Sequence, residues 1–445
     1  MKRIFLYVKL IIPMVFLTAL FFGDTMAAEQ KIIEKRGGKV KVVKYKDGSW
    51  QLLVNDKPYF IRGVVFNPVN IGQAPDDATQ QDWMDEDDNQ DGIIDIPYQS
   101  WLDKNKNNIR DDDEPLEGDF SLLKKMGVNT IRLYHLPSNN SLVGDIYKSD
   151  KNTENLYNHA INKKLLRDLY QKYGIRVIAG HFLGSWTVGA GVMWKEGVDY
   201  NNPQQRENIK NSVKAMVLDN KDEPYILMWL LGNENNIATW SNMNAPHYPE
   251  VYASLVGEIA DMIHQLDPNH PVAVCDGDSL DYNTLKHYAK VAPGIDIVAY
   301  NAYRGMFGFG NLWQKSKEVF DRPIFISEFG QYAYSDKGED EEIQYRYFKN
   351  AWVDIEDNAA SKYWAEHQGQ GNVIGGVIFH WTDQWYLNWT PFEQNTGSRA
   401  WVENQPVKHD EYWGILSMGN GSDTLMRQKR KTYELFTQIW NGSKK

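Results

Sequence analysis

Two apolar runs in this chain each end on a carboxylate. In "ILMWLLGNE" (226–234), residues suited to a strand buried on both faces give way to Gly232, Asn233 and Glu234. In "FISEFG" (325–330) the same change comes at Glu328. A charge at the end of a buried strand is costly unless it is paired or does chemistry. Two such groups facing each other can cleave a glycosidic bond: one protonates the leaving oxygen, the other attacks the anomeric carbon or activates water. Separations of about 5–5.5 Å give retention of configuration, and about 6.5–9.5 Å inversion. The alternative role for each Glu is a salt-bridged rim residue, and the shared context of the two strands weighs against it.

That chemistry needs elements that gather distant strand ends. Buried-type strands recur at "YFIRGVVFNP" (59–68), "NTIRLYH" (129–135), "RVIAGHF" (176–182), "ILMWLLGNE" (226–234), "PVAVCDGD" (271–278), "IDIVAYNAY" (295–303), "PIFISEFG" (323–330) and "GGVIFHWTD" (375–383). Apolar spacing of three and four marks helices at 120–127, 160–174, 206–220 and 249–267. Gly127 and Gly174 stand where helix C-caps belong. Eight strands alternating with helices predict an α/β fold, the (β/α)8 TIM barrel. An open doubly wound sheet is the competing architecture, but no Gly-rich phosphate loop follows the first strand. In a barrel the polar residues closing the strands meet at one rim. They are Arg132 and His135, His181 and Trp186, Asn233 and Glu234, Asp276 and Asp278, Asn301 and Tyr303, Glu328, and His380, Trp381 and Asp383. Strands four and seven lie across a barrel from each other, so Glu234 and Glu328 are expected to face one another.

"MWLLGNE" resembles the acid/base motif of clan A glycoside hydrolases, especially the family 2 catalytic barrel of β-galactosidases and β-glucuronidases. "FISEFG" is similar to that clan's nucleophile motif, and "GVNTIRLYH", "YNAY" and "KDGSWQLLVNDKPYFIRGV" to further family 2 segments. The resemblance spans roughly residues 45–385 and implies a retaining enzyme. It implies Glu234 as acid/base, Glu328 as nucleophile and Asn233 as partner of the sugar 2-hydroxyl. Arg132 and Tyr303 would orient Glu328, and Trp381 would floor the subsite. His181 and Asn301 are further candidates for substrate contact. The second strand runs into "RLYHLPSNN" where family 2 has Ser-His-Tyr-Pro, which leaves the sugar open. The Arg-Leu-Tyr strand also resembles clan A glucanosyltransferases, which pass the sugar to another sugar through the same pair. A non-catalytic carbohydrate-binding barrel is a third reading, against which the intact Glu pair argues.

Between the first two strands lies the acidic insertion "DEDDNQDGIIDIPYQSWLDKNKNNIRDDDEP" (85–115). It holds two calcium-loop-like patterns. Asp87, Asn89, Asp91 and Asp95 form the first around Gly92, with Tyr98 at the twelfth position. Asp103, Asn105, Asn107, Asp111 and Glu114 form the second, with Asn108 at the Gly position. Oxygen ligands at alternate positions suit Ca2+ in a structural role, and Ile93 and Ile109 would anchor the loops. A solvated acidic loop is the alternative.

The formal net charge of −11 argues against a nucleic-acid partner. The 16 Trp and 25 Tyr suit sugar platforms or a large core. Trp186, Trp194, Trp385 and Trp389 fall in rim loops, and Gly305, Gly308 and Gly310 suggest a mobile one. Lys2 and Arg3, an apolar run over 10–22, and Ala27 and Ala28 predict a cleaved leader over 1–28, hence a secreted or periplasmic protein with no stable membrane insertion. A β-hairpin element over 29–58, with turns at Asp47-Gly48 and Asn55-Asp56, should precede a barrel over 59–445. Cys275 is the only cysteine, so no intrachain disulfide forms, and it reads as a small strand hydrophobe. The tail 425–442 reads as a closing amphipathic helix with a solvated basic face.

Overall fold

The computed structural model describes residues 31–75, 79–138, 161–238, 241–360, 369–388, 390–396 and 409–442. The expected leader and Trp389 lie outside the described residues. Eight strands form one closed parallel barrel in sequence order. They are β1 (Ile61–Val65), β2 (Thr130–Leu133), β3 (Arg176–His181), β4 (Ile226–Leu231), β5 (Val272–Gly277), β6 (Ile297–Asn301), β7 (Ile324–Phe329) and β8 (Val373–Ile378). β8 pairs with β1 and closes the ring, so the open doubly wound sheet is excluded. The apolar runs form strands because helices cover them outside and their own side chains fill the centre. Each fully buried Ile or Leu contributes about 1.5–3 kcal/mol.

A helix follows each strand: α1 (Asp119–Met126), α2 (Lys163–Tyr173), α3 (Pro203–Asn220), α4 (Pro249–Leu266), α5 (Asn283–Val291), α6 (Leu312–Val319), α7 (Glu341–Asp357) and α8 (Lys431–Trp440). Gly127 and Gly174 close α1 and α2 at φ 94° and 72°, donating back to the last-turn carbonyls. Asn202 starts α3 by accepting from the Gln204 and Gln205 amides, with Pro203 at the first turn. No helix among the described residues is long and apolar enough to cross a membrane.

The N-terminal element is larger than a hairpin. Strands Ile32–Gly37, Val40–Tyr45, Trp50–Val54 and Lys57–Pro58 make a four-stranded antiparallel sheet, because each expected turn pair folds a hairpin of its own and a third turn follows Gly37, at φ 90°. Val40, Val42, Trp50, Leu52 and Val54 pack on interior barrel residues such as Ile61, Ile178 and Leu227. The Val40 amide donates to the Asn269 carbonyl (3.0 Å) and that of Trp50 to Gly371 (2.7 Å), both just before barrel strands. The sheet therefore covers the N-terminal end of the barrel and leaves the C-terminal end for the site.

The tail corrects another expectation. Met426–Lys429 is a strand, paired with Leu416–Ser417 and with Trp101–Leu102 of the acidic insertion. Its basic run is only partly a solvated face: Lys431 is exposed, but Arg427 and Arg430 are 1% exposed. Arg427 grips Asp119 through two bonds (2.9 and 3.1 Å), and Arg430 grips Asp383 (2.6 and 2.8 Å). Burial of these guanidinium groups is tolerable only because each meets a carboxylate in bidentate geometry.

Candidate active site

Strand pleating decides which residues reach the barrel centre. On β2, Arg132 points inward while Ile131 packs against the surrounding helices. Arg132 Nη1 donates to Glu328 Oε1 (2.8 Å), Asn301 Oδ1 (3.0 Å) and the Ser327 carbonyl (2.9 Å). Its Nη2 donates to Asn233 Oδ1 (2.7 Å) and Cys275 Sγ (3.3 Å). Burial opposes the Arg132 cation, but Cys275 and Glu328 beside it raise its pKa.

Glu328 takes two more donors. Tyr134 Oη donates to its Oε1 and Tyr303 Oη to its Oε2, both at 2.7 Å. Tyr303 keeps 40% of its surface open to the cleft, but its hydroxyl lies against the carboxylate. Loss of water at the two phenols, followed by the charge of Glu328, pushes both pKa values well above the usual 10. They therefore remain donors throughout the neutral range. The three donors fix the orientation of the carboxylate and replace water that it loses on burial.

Asn301 joins the two acids. It is paired with Glu328 across β6 and β7, and its Nδ2 donates to Glu234 Oε1 (3.0 Å) and Asn233 Oδ1 (3.1 Å). Glu234 sits at φ +59°, a conformation that a non-glycine residue holds only when its surroundings fix it. Its amide donates to the Cys275 carbonyl (3.2 Å). A cavity of about 420 Å3 opens beside this network, lined by Asn233, Tyr134, Trp83, Trp186, Phe379 and Trp413 among others.

The expected residues Glu234, Glu328, Asn233, Arg132, Asn301 and Tyr303 thus come together. Two others do not. His181 is fully buried; its Nε2 lies 2.8 Å from Ser212 Oγ on α3, and its Nδ1 accepts the Leu183 amide. It falls on the outward parity of β3, where Val177 and Ala179 also lie, so it fixes a helix to the barrel. Trp381 is likewise fully buried, packed on Phe66 and Tyr433 in the outer core. The aromatic lining beside β8 comes from Phe379 and Trp413.

His380 lies in the core, its pKa pushed down to about 4 by burial, and Asp383 belongs to Arg430. Asp276 points outward to Tyr288 Oη (3.0 Å), and burial raises its carboxyl to about 7. Tyr134 was not anticipated, yet it lies two residues after Arg132, on the same face of an extended chain. Cys275 is buried as expected but belongs to the network: burial pushes its thiol up to about 11, so it meets Arg132 as a neutral group.

In the acidic insertion, both loops carry the same bonds. Asp87 accepts the amides of Asp91 and Gly92, Asn89 that of Asp91, and Asp91 that of Ile93. Asp103, Asn105 and Asn107 accept at the matching positions. Glu114 accepts the Lys104 and Asp111 amides, and Asp111 takes the side-chain amides of Asn105 and Asn107. Ile93 and Ile109 are 46% and 65% exposed, so they do not anchor the loops. Among the described residues no three His, Cys, Asp or Glu side chains form a ready metal cluster. Asp95 is 4% exposed, and its Oδ1 meets no donor. Burial, then the charges of Asp88, Asp87 and Asp91, raise its pKa.

Residues 155–354, which include both glutamates, match the model of the TIM-barrel domain of glycosyl hydrolases family 2. The likeness to a family 2 glycoside hydrolase catalytic barrel thus lies over β3 to β7. The chain is 22% identical to β-glucuronidase of Rattus norvegicus over 334 residues, covering 69% of this chain and 42% of that one. Over 153 residues it is 28% identical to mannan endo-1,4-β-mannosidase F of Aspergillus clavatus, covering 29% of this chain and 34% of that one. The chain spans less than half the length of both curated relatives. Its fold is that of β-D-glucuronidase of Dictyoglomus thermophilum, at a TM-score of 0.51 and 17% identity over 92% of this chain and 59% of that one.

Proposed function

We propose that the protein is a retaining β-glycosidase acting on a β-linked oligo- or polysaccharide by double displacement. The observation that carries this reading is the Glu328 carboxylate held under Arg132, Tyr134 and Tyr303 and linked to Glu234 through Arg132 and Asn301. Glu328 attacks the anomeric carbon as Glu234 donates a proton to the departing glycosidic oxygen. The glycosyl–Glu328 ester then breaks when Glu234 takes a proton from water, which attacks the same carbon and restores both carboxyl groups. In this reading Asn233, beside Arg132 and Asn301, meets a sugar hydroxyl.

The test is covalent trapping with activated 2-fluoro-glycosides, followed by peptide mass analysis. The label is expected on Glu328, and Glu328→Ala should remove turnover while the far-ultraviolet dichroism stays unchanged. Label on another residue, or full activity in that variant, overturns the assignment. The two curated relatives are named for different sugars, so a screen of aryl β-glycosides and polysaccharides identifies the substrate.

We also propose structural Ca2+ at the acidic loops, supported by the matching ladder of oxygen acceptors and the unmet oxygen of Asp95. Secretion or periplasmic export is proposed from residues 1–28, and N-terminal sequencing of the mature protein tests it.

A further inference from the structure

We propose that Trp186 is the platform of a second sugar subsite, fixed in position relative to the acid/base residue, so that the enzyme recognises more than the ring it cleaves. This rests on the glycosidase reading above and names the residue that makes chain length matter. Trp186 lines the same cavity as Asn233 and Tyr134. It is partly exposed, whereas its neighbours Ser185 and Thr187 are buried and core tryptophans such as Trp229 and Trp313 are nearly closed off from solvent. A tryptophan serving only to pack the loop would share their burial. Trp194 stacks on it at 5.8 Å and 13°, which supports one face of the indole, and among the described residues no second ring stacks on it. The apolar C–H face of a pyranose suits such a surface, while Asn233 and Gln384 on the same walls suit its hydroxyls.

The loop is built to hold that ring still. Trp186 and Thr187 sit at φ +59° and +61°, and Leu183 at +48°. Strained residues of this kind persist only where surroundings over-determine them, and they cluster at binding sites. Asn235 supplies the constraint. It is fully buried, and its Nδ2 donates to the carbonyls of Phe182 (3.1 Å) and Leu183 (3.3 Å). Its Oδ1 accepts from Ser185 Oγ (2.9 Å) and from the Asn233 amide (2.8 Å). Tyr200 Oη adds a bond to the Leu183 carbonyl (2.6 Å). One side chain, next in sequence to Glu234, therefore ties the platform loop to the acid/base segment.

The test compares kcat/KM of the full chain on a ladder of β-1,4-linked gluco- and manno-oligosaccharides of increasing length with that on the aryl β-glycoside of the preferred sugar. In the unaltered protein, efficiency should climb with length. Trp186→Ala should cut the long-to-short ratio by about fivefold to tenfold, mostly through KM. Trp186→Tyr, which keeps a flat ring and serves if the alanine form misfolds, should restore most of it. A ratio unchanged in the alanine variant, or unchanged with length in the parent, overturns the subsite. Titration calorimetry of the same oligosaccharides in a Glu328→Gln background reads affinity without cleavage. If the parent cleaves no glycoside, the glycosidase reading falls. The calorimetric loss on adding Trp186→Ala, or its absence, still decides the platform.

Discussion

At the scale of the residue, Glu328 shows how much of the setting of a proposed nucleophile is made by its neighbours. Three side chains from β2 and the segment after β6 converge on one carboxylate. Tyr303 alone holds Oε2 among these three. Replacing it with Phe removes one hydrogen bond to a charged acceptor, worth about 1.5–3 kcal/mol. The proposed nucleophile loses that support, so kcat/KM should fall roughly ten- to a hundredfold. The Tyr134 phenol stays protonated well past neutrality, so no alkaline limb of the pH–rate profile arises from it. Steady-state kinetics of Tyr303→Phe check the expected loss, and an unchanged kcat/KM would remove Tyr303 from the role.

At the scale of the element, the barrel was legible because burial on both faces writes a strand as one continuous apolar run. The polar strand ends were legible too, but not their direction. Arg132 and His181 look alike in sequence, each a polar residue near a strand end. Parity separates them: Ile178 faces the barrel interior, so the outward positions Val177 and Ala179 carry His181 with them. Cys275 and Asp276 divide in the same way, one toward Arg132 and the other toward Tyr288. Counting by two from a residue known to face inward would have found Tyr134 and set His181 aside. Trp381 was harder, since apolar character marks burial without saying in which layer. The acidic insertion was legible as paired loops, and the structure adds the unmet oxygen of Asp95 crowded by like charges. A divalent cation would neutralise that crowding, and it binds only the folded loops. Calcium at a hundredfold excess over its Kd should then stabilise the protein by about 2.7 kcal/mol. Calorimetric melting with calcium and with chelator tests this; coincident midpoints would argue for a solvated loop.

At the scale of the whole molecule, the two ends of the described chain do different work. The N-terminal sheet covers the bottom of the barrel, while the C-terminal strand pairs with the acidic insertion and α8 packs into the outer core. The closure depends on ions. Arg427 reaches Asp119 across 308 positions of sequence, at the first residue of α1, and Arg430 reaches Asp383 after β8. Asp119 also suits the positive end of its helix and accepts Ser100 Oγ (2.7 Å) from the acidic insertion. The pair thus ties insertion, first helix and tail together. Asp119→Ala leaves the Arg427 guanidinium buried without its carboxylate, which costs about 3–5 kcal/mol. Arg427→Met strands the carboxylate in the same way. Removing both charges leaves no orphan, so Asp119→Leu with Arg427→Met should be far less destabilised than the sum of the singles. Denaturant midpoints for the single variants and the pair measure that coupling directly. The pattern expected is two strongly destabilised singles and a milder double, and strictly additive losses would mean that the tail is held by packing instead of by charge.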